Sequence, residues 1–398
     1  MDNPYILMLI ALALLAVIDL VVGVSNDAVN FLNSAIGSKA ISIRNIMIIA
    51  SIGVFFGAIT SSGMMEVARK GIFNPEMFMF QDIMFIFMAV MITDILLLDV
   101  FNTLGMPTST TVSIVFELLG AAVVISLIKI SQNDTESFNA IWNYINYEKA
   151  SMIIFGILLS VVVAFSVGAL VQFVSRLIYS FNFEKRPNYI NALFGGFAIT
   201  AITYFIIIKG MKGTPFYVDV KHLIEYNTLL IITGSFLLWT LISQLLITFF
   251  NINILKLIIG IGTFSLAMAF SGNDLVNFVG VPIAAWNSYQ VWETSGISAT
   301  TFSMGVLAQK VPSNVFLLLF AGAIMVVTLW TSSKARNVIK TGIDLSRQGE
   351  GHEKFKPNPL SRLVVRASMG INSGLSYIIP AKTIAFVDSK FQKPVIEL

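Results

Sequence analysis

The sequence predicts an all-α polytopic membrane protein. Three observations carry that expectation: the composition, the spacing of uncharged runs, and a hexapeptide that occurs twice in apolar surroundings. Of 398 residues, 56% are hydrophobic and only 12% charged, with a mean hydropathy of +0.82. That is far more apolar than a water-soluble domain of this length, so lipid is the main solvent. The uncharged runs reach or approach the roughly 20 residues that a helix rising about 1.5 Å per residue needs to cross the hydrocarbon.

Nine such runs are expected to span: residues 4–24, 46–65, 83–104, 112–130, 150–176, 188–208, 228–249, 254–272 and 313–332. No basic stretch precedes the first, and Asp19 interrupts it, so it reads as a span rather than a signal peptide. Segments follow from these runs. Residues 1–130 form a first repeat, 131–253 connecting transmembrane helices, 254–332 the start of a second repeat, and 333–398 a basic linker or tail.

The chain has no cysteine, which excludes disulfides, thiolate metal sites and thiol nucleophiles. His222 and His352 lie in polar segments, where a solvated ring is expected, so neither a zinc site nor any other cofactor is proposed. The net charge of +3 is unevenly placed: residues 333–398 hold 11 Lys or Arg against 5 Asp or Glu. By the positive-inside tendency this segment is cytoplasmic, which puts the N-terminus outside if nine spans are right. The expected location is a cell membrane, plasma or inner, crossed many times, and no nucleic-acid partner is expected.

The repeated hexapeptide is Asn26-Asp27-Ala28-Val29-Asn30-Phe31 and Asn273-Asp274-Leu275-Val276-Asn277-Phe278, offset by 247 residues. The first copy follows expected span one and the second follows span eight, so the two preceding helices should run in opposite directions. That parity marks an inverted-topology repeat, in which the ligand site lies near the bilayer midplane at broken helices and short half-helices. Breaks are expected at Gly23-Val24-Ser25 and at Ser271-Gly272. A third is expected at Gly105-Met106-Pro107-Thr108-Ser109-Thr110-Thr111, where Pro107 suits a helix's first turn and gathers hydroxyls at a helix start. Farther on, the polar stretch 333–359, with Gly349-Glu350-Gly351, reads as a linker. Residues 360–385 hold short amphipathic stretches with Arg362 and Arg366 that suit a membrane surface.

A carboxylate in hydrocarbon must be paired, protonated or bound to a cation, which makes Asp27 and Asp274 candidate cation ligands. One Asn-Asp-x-x-Asn in a soluble protein is ordinarily a cap or turn; two copies inside apolar runs reverse that expectation. Asn26, Asn30, Asn273 and Asn277 offer amide donors to an anion and carbonyl oxygens to a cation. Thr108, Ser109, Thr110 and Thr111 add hydroxyls, and a helix start adds free N–H groups. No Lys or Arg lies in these motifs. The pattern points to an oxyanion held by neutral donors, with an accompanying cation balancing the aspartates. Asp19, Asp94, Asp99 and Glu117 also lie in or near spans, and a structural role is expected for them ahead of proton carriage. The 32 Phe and 17 Met suit lipid-facing and packed helices.

These motifs resemble those of the inorganic phosphate transporter (PiT) family of sodium- or proton-coupled symporters. The family's repeated Gly-x-Asn-Asp-x-x-Asn is similar to Gly23-Val24-Ser25-Asn26-Asp27-Ala28-Val29-Asn30, one residue longer before the Asn, and to Gly272-Asn273-Asp274-Leu275-Val276-Asn277. Residues 33–38 resemble its Gly-Thr-x-Val-Gly-Ser ending. Its Pro-x-Ser-Thr-Thr is similar to Pro107-Thr108-Ser109-Thr110-Thr111. The resemblance covers about residues 1–332 and implies symport of inorganic phosphate with sodium or proton. It implies phosphate contacts from Ser109, Thr110, Thr111, Asn30 and Asn277, with Asn26 and Asn273 beside them, and coupling cations at Asp27 and Asp274. Inorganic phosphate and membrane lipid are the implied partners, and a homodimer is left open.

One departure stands out: the family's second Pro-x-Ser-Thr-Thr has no counterpart between Phe278 and Leu398. Gly280-Val281-Pro282-Ile283-Ala284-Ala285 offers a proline without hydroxyls, too soon after the motif. The expectation is a chain truncated within its second repeat, ahead of a half-site supplied by a partner. Sulfate transport on the same fold stays open. So do two readings of other classes, a non-transporting scaffold and an intramembrane enzyme using Asp27 and Asp274 as acid and base. The enzyme reading needs the two carboxyls a few ångströms apart, and no nucleophile, metal cluster or Gly-rich phosphate loop in the sequence supports it.

Overall fold

The computed structural model describes residues 3–61, 72–133, 136–181, 186–207, 215–308, 315–346 and 355–392. Its regular elements among these are helices: α1 (Pro4–Ser38), α2 (Ile43–Thr60), α3 (Phe80–Leu104), α4 (Thr110–Gln132), α5 (Tyr147–Ile178), α6 (Asn188–Phe205), α7 (Pro215–Tyr226), α8 (Thr228–Phe250), α9 (Ile254–Ser295), α10 (Val315–Thr331), α11 (Ser333–Ser346), α12 (Pro359–Ile378) and α13 (Ala381–Phe391). A one-turn helix, Ile141–Tyr144, and short 3-10 turns join them. The only β-type pairings among the described residues are isolated bridges, Phe73 with Ile145 and Met79 with Ser303.

A helix occurs at each of the nine expected spans. Among the described residues, seven (α1, α2, α3, α4, α5, α8 and α9) are long and apolar enough to cross a membrane on their own. An eighth is reached if α10 and α11, bent by 69° at Ser332, count as one broken span. Helix α6, at 18 residues, is not among them. The ends of the expected spans 46–65 and 188–208, the start of 313–332 and Gly349-Glu350-Gly351 lie outside the described residues.

A larger correction concerns the breaks. Neither Gly23-Val24-Ser25 nor Ser271-Gly272 interrupts a helix; each copy of the hexapeptide sits inside one long helix. Helix α1 runs 35 residues and α9 runs 42, or about 50 and 60 Å at 1.5 Å per residue. Small residues in a helix weaken it by only about 1 kcal/mol each, and packing on both sides of the motif outweighs that. Pro282 is also accommodated inside α9. The expected break at 105–109 is real. Gly105 ends α3 in the left-handed region (φ 64°) and Ser109 caps α4, its Oγ accepting from Val112 N at 3.4 Å.

Two compact units emerge, residues 1–154 with 192–347, and residues 155–191 with 348–398. The second holds most of α5 and the tail helices. Within it, Phe173 stacks on Phe391 with centroids 5.7 Å apart, and the Arg176 guanidinium lies 4.4 Å from the same ring's centroid. The most apolar stretch of α5 has no buried residue, as suits a helix bathed in lipid.

The first unit holds both hexapeptides and two apolar cores. One gathers Phe78, Phe80, Phe87 and Met91 against Val281 and Ala285; the other packs Ala28, Leu32, Val54 and Ala58 against Leu275 and Phe278. Without a hydrophobic driving force between helices in lipid, close approach depends on small residues. Gly53 and Gly57 of α2 lie against the backbone of α9: an added Cβ would sit 2.5 Å from the Phe264 carbonyl oxygen and 2.1 Å from that of Met268. Gly23 of α1 receives the ring of Phe278, which a Cβ would meet at 2.1 Å.

Gly57→Ala is therefore expected to destabilise the detergent-purified protein by about 1–3 kcal/mol through overpacking against an immovable carbonyl, read as a lowered thermal midpoint. Gly120→Ala, with nothing within 4 Å of the new methyl, is the control and should leave the midpoint unchanged. Equal midpoints for both variants would contradict this packing.

Candidate functional site

The two hexapeptides meet where α1 crosses α9. Gly23 touches Phe278, Asp27 and Asp274 are linked through Thr110 and Asn277, and Phe31 faces Phe270 at 6.2 Å. Positions rise along α1 as they fall along α9, so the helices are antiparallel at the crossing, and Asp27 faces its own repeat counterpart. This is a local two-fold relation centred on the aspartate pair. It is the geometry that opposite helix directions in an inverted repeat require.

Both aspartates are 5% exposed. Thr110, at the first turn of α4, donates its hydroxyl to Asp27 Oδ2 at 3.1 Å. On the other side Asn273 Nδ2 donates to Asp274 Oδ1 at 3.2 Å, with Asn277 Nδ2 at 3.5 Å. Asn277 also reaches Thr111 Oγ1 at 2.9 Å and Thr110 Oγ1 at 3.4 Å. The start of α4 thus joins the second hexapeptide directly to the first. Among the described residues, the ion pairs Lys129–Asp82, Lys221–Glu225 and Lys334–Asp99 involve neither aspartate. Two carboxyls at this distance in a dry setting need a proton or a cation between them. Their remaining oxygens, with the Thr110 hydroxyl and the Asn277 amide oxygen, are hard ligands suited to a small cation or a proton.

The candidate residues divide into three groups. Asp27, Asp274, Thr110, Thr111 and Asn277 converge. Asn26 is buried and engaged elsewhere: its Nδ2 donates to Asn102 Oδ1 (2.8 Å) and to the Met106 carbonyl (3.2 Å), and its Oδ1 accepts from Thr108 N (2.8 Å). Asn102 in turn donates to the Val22 carbonyl at 2.7 Å. Asn26 is therefore a strut that holds the turn between α3 and α4 so that α4 starts at the aspartates. The third group, Asn30, Ser109 and Asn273, has exposed side chains. The two motif asparagines Asn26 and Asn273, equivalent in sequence, are in unlike surroundings.

Sequence reasoning missed Ser332. It lies at the 69° break between α10 and α11, its Oγ 2.7 Å from that of Ser25, beside Asn26, while also accepting from Ala335 N at 3.1 Å. Thr331-Ser332-Ser333 thus forms a second hydroxyl-rich helix start against the first hexapeptide. The signal was present as three consecutive hydroxyl residues closing an apolar run, but it lacks the proline that marks the α4 start.

Residues 23–342 match the model of the phosphate transporter family. The "Putative phosphate permease" of Pyrococcus horikoshii is 24% identical over 310 residues, 75% of this chain and 68% of that protein. The protein of the same description from Thermococcus kodakarensis is 26% identical over 202 residues, 50% of this chain and 44% of its own length. The chain therefore spans less than half of one such relative and about two thirds of the other. A solved structure described as "The sodium-dependent phosphate transporter" superimposes with a TM-score of 0.60 over 85% of this chain and 78% of that one, at 22% identity, a likeness of fold. With a family match over most of its length, and both family motifs assembled at one helix crossing, the chain belongs to the phosphate transporter family.

Proposed function

We propose that this protein moves inorganic phosphate across a membrane together with a cation, sodium or proton. The observation that carries the reading is the meeting of Asp27 and Asp274 with the start of α4 and with Asn277. Phosphate would be held by neutral donors: the hydroxyls of Ser109, Thr110 and Thr111, the amides of Asn30, Asn273 and Asn277, and the free N–H groups at the start of α4. The cation would sit between Asp27 and Asp274. Each solute lowers the electrostatic cost of the other, which is the physical content of coupling.

A sulfate reading shares this donor set and separates by charge and protonation of the ligand. The aspartate pair would also meet the distance that acid–base chemistry needs, but family membership and the neutral donor set favour transport.

Full-length protein in proteoliposomes should take up labelled phosphate when a sodium or a proton gradient is imposed, and unlabelled phosphate should compete better than sulfate. Uptake indifferent to both gradients would sink the coupling claim. Asp27→Asn and Asp274→Asn should each reduce coupled uptake to background; near-normal rates in both would remove the aspartates from the mechanism. Asn26→Ala should slow uptake and cost about 1–3 kcal/mol of stability, because it orphans the buried Asn102 amide and the Thr108 N–H.

A further inference from the structure

Deeper in the first unit, three more carboxyls lie together on three helices. Asp94 of α3 and Glu117 of α4 share one hydroxyl: Ser113 Oγ is 2.6 Å from Asp94 Oδ1 and 2.7 Å from Glu117 Oε1. Asp19 of α1 lies near this group. It is 0% exposed, as is Asp94. Both oxygens of Asp19, with Asp94 Oδ2 and Glu117 Oε2, are buried and have no hydrogen-bond donor.

The donor count decides what the group holds. A serine hydroxyl carries one proton and can donate once, yet Ser113 makes two short contacts to carboxyl oxygens. One of those contacts must run the other way, with a carboxyl O–H donating to the serine. Asp19, fully buried with neither oxygen partnered, adds a third carboxyl that a dry interior holds at lower cost with a proton on it. Among the described residues, the ion pairs of Lys129, Lys221 and Lys334 engage none of the three. Nor do any three His, Cys, Asp or Glu side chains there have an arrangement that could hold a metal ion. The other ionisable group near the cluster among the described residues, Asp27 farther along α1, is acidic as well.

The cluster borders a groove of about 600 Å³. It runs between α4 and α3 and is lined mostly by apolar side chains, with Thr108 and Ser109 at the helix start and Ser113 and Glu117 farther on as polar members. Glu117 is the partly exposed member of the cluster.

We propose that Asp94 and Glu117, bridged by Ser113, form with the buried Asp19 near them a proton-binding site separate from the Asp27–Asp274 pair, loaded through Glu117 and discharged as phosphate moves. Binding is simple protonation: a carboxylate takes a proton from water at the groove and becomes a carboxyl that donates to Ser113 or to a neighbouring carboxylate. Ser113 lies one turn beyond Thr110 on α4, so the loaded and unloaded states act on the helix that carries the phosphate-facing hydroxyls. The proton site stands on the donor count; its coupling to transport rests on the function proposed above.

Infrared difference spectroscopy of the full-length protein in lipid tests the site without transport. At neutral pH a protonated-carboxyl C=O band, shifted in heavy water, is expected, and it should lose intensity in both Glu117→Gln and Asp94→Asn. Ser113→Ala, which keeps all three carboxyls, should move the band rather than remove it. No such band, or a band unchanged in all three variants, overturns the proposal. In proteoliposomes an acid-outside gradient should accelerate phosphate uptake about tenfold, and Glu117→Gln should lose that acceleration while keeping phosphate exchange. An acceleration retained in Glu117→Gln overturns the coupling role. A band that behaves as expected in a protein with no phosphate uptake or exchange overturns the transport reading and leaves the proton site standing.

Discussion

Two carboxylates held side by side in a dry interior are the constraint on which the rest of this structure turns. Asp27 and Asp274 reach each other because α1 and α9 cross closely, and the crossing is close because Gly23 leaves room for the ring of Phe278. Once they meet, two negative charges have to be balanced, and the ion pairs among the described residues engage neither. Hydroxyls and amides supply hydrogen bonds, as with Thr110 on Asp27 and Asn273 on Asp274, but hydrogen bonds do not cancel the charge. Completion of the charge is left to a proton or a cation, the place that the proposed function gives to the coupling ion.

The two halves are related by a local two-fold but are not furnished alike. In the first, Asn26 is spent on holding the turn between α3 and α4, through Asn102, Met106 and Thr108, and this sets where α4 begins. In the second, Asn273 is exposed. The α10–α11 break places Ser332 on Ser25, so a second hydroxyl-bearing helix start abuts the first hexapeptide. A site with one braced and one open half has a natural place for ligand to arrive.

Charge in this protein is also stored away from that pair. The Asp19–Asp94–Glu117 group draws on α1, α3 and α4, of which α1 and α4 also carry Asp27 and Thr110, and Ser113 is in register with Thr110 one turn away. A change in protonation at one level of α4 therefore acts on a rigid element that presents hydroxyls at another. Packed helices shift as units, so no separate linkage is needed to connect the two levels.

Much of this was legible in the residues themselves. The apolar runs located the helices, because a bilayer demands about 20 residues of one character per crossing. The repeated Asn-Asp hexapeptide identified the aspartate pair, and Pro107 with its hydroxyls marked the start of α4. Local sequence could not show that glycine and serine near the hexapeptides leave α1 and α9 unbroken, since a helix weakened by small residues is restored by the neighbours that those residues admit. Nor could it tell Asn26 from Asn273, or show that Asp94 and Glu117, on different helices, share one serine with the buried Asp19 near them. Those are properties of helices from distant parts of the chain brought into contact. The sequence determined which groups hydrocarbon would force into partnership, and the tertiary structure decided which partner each one has.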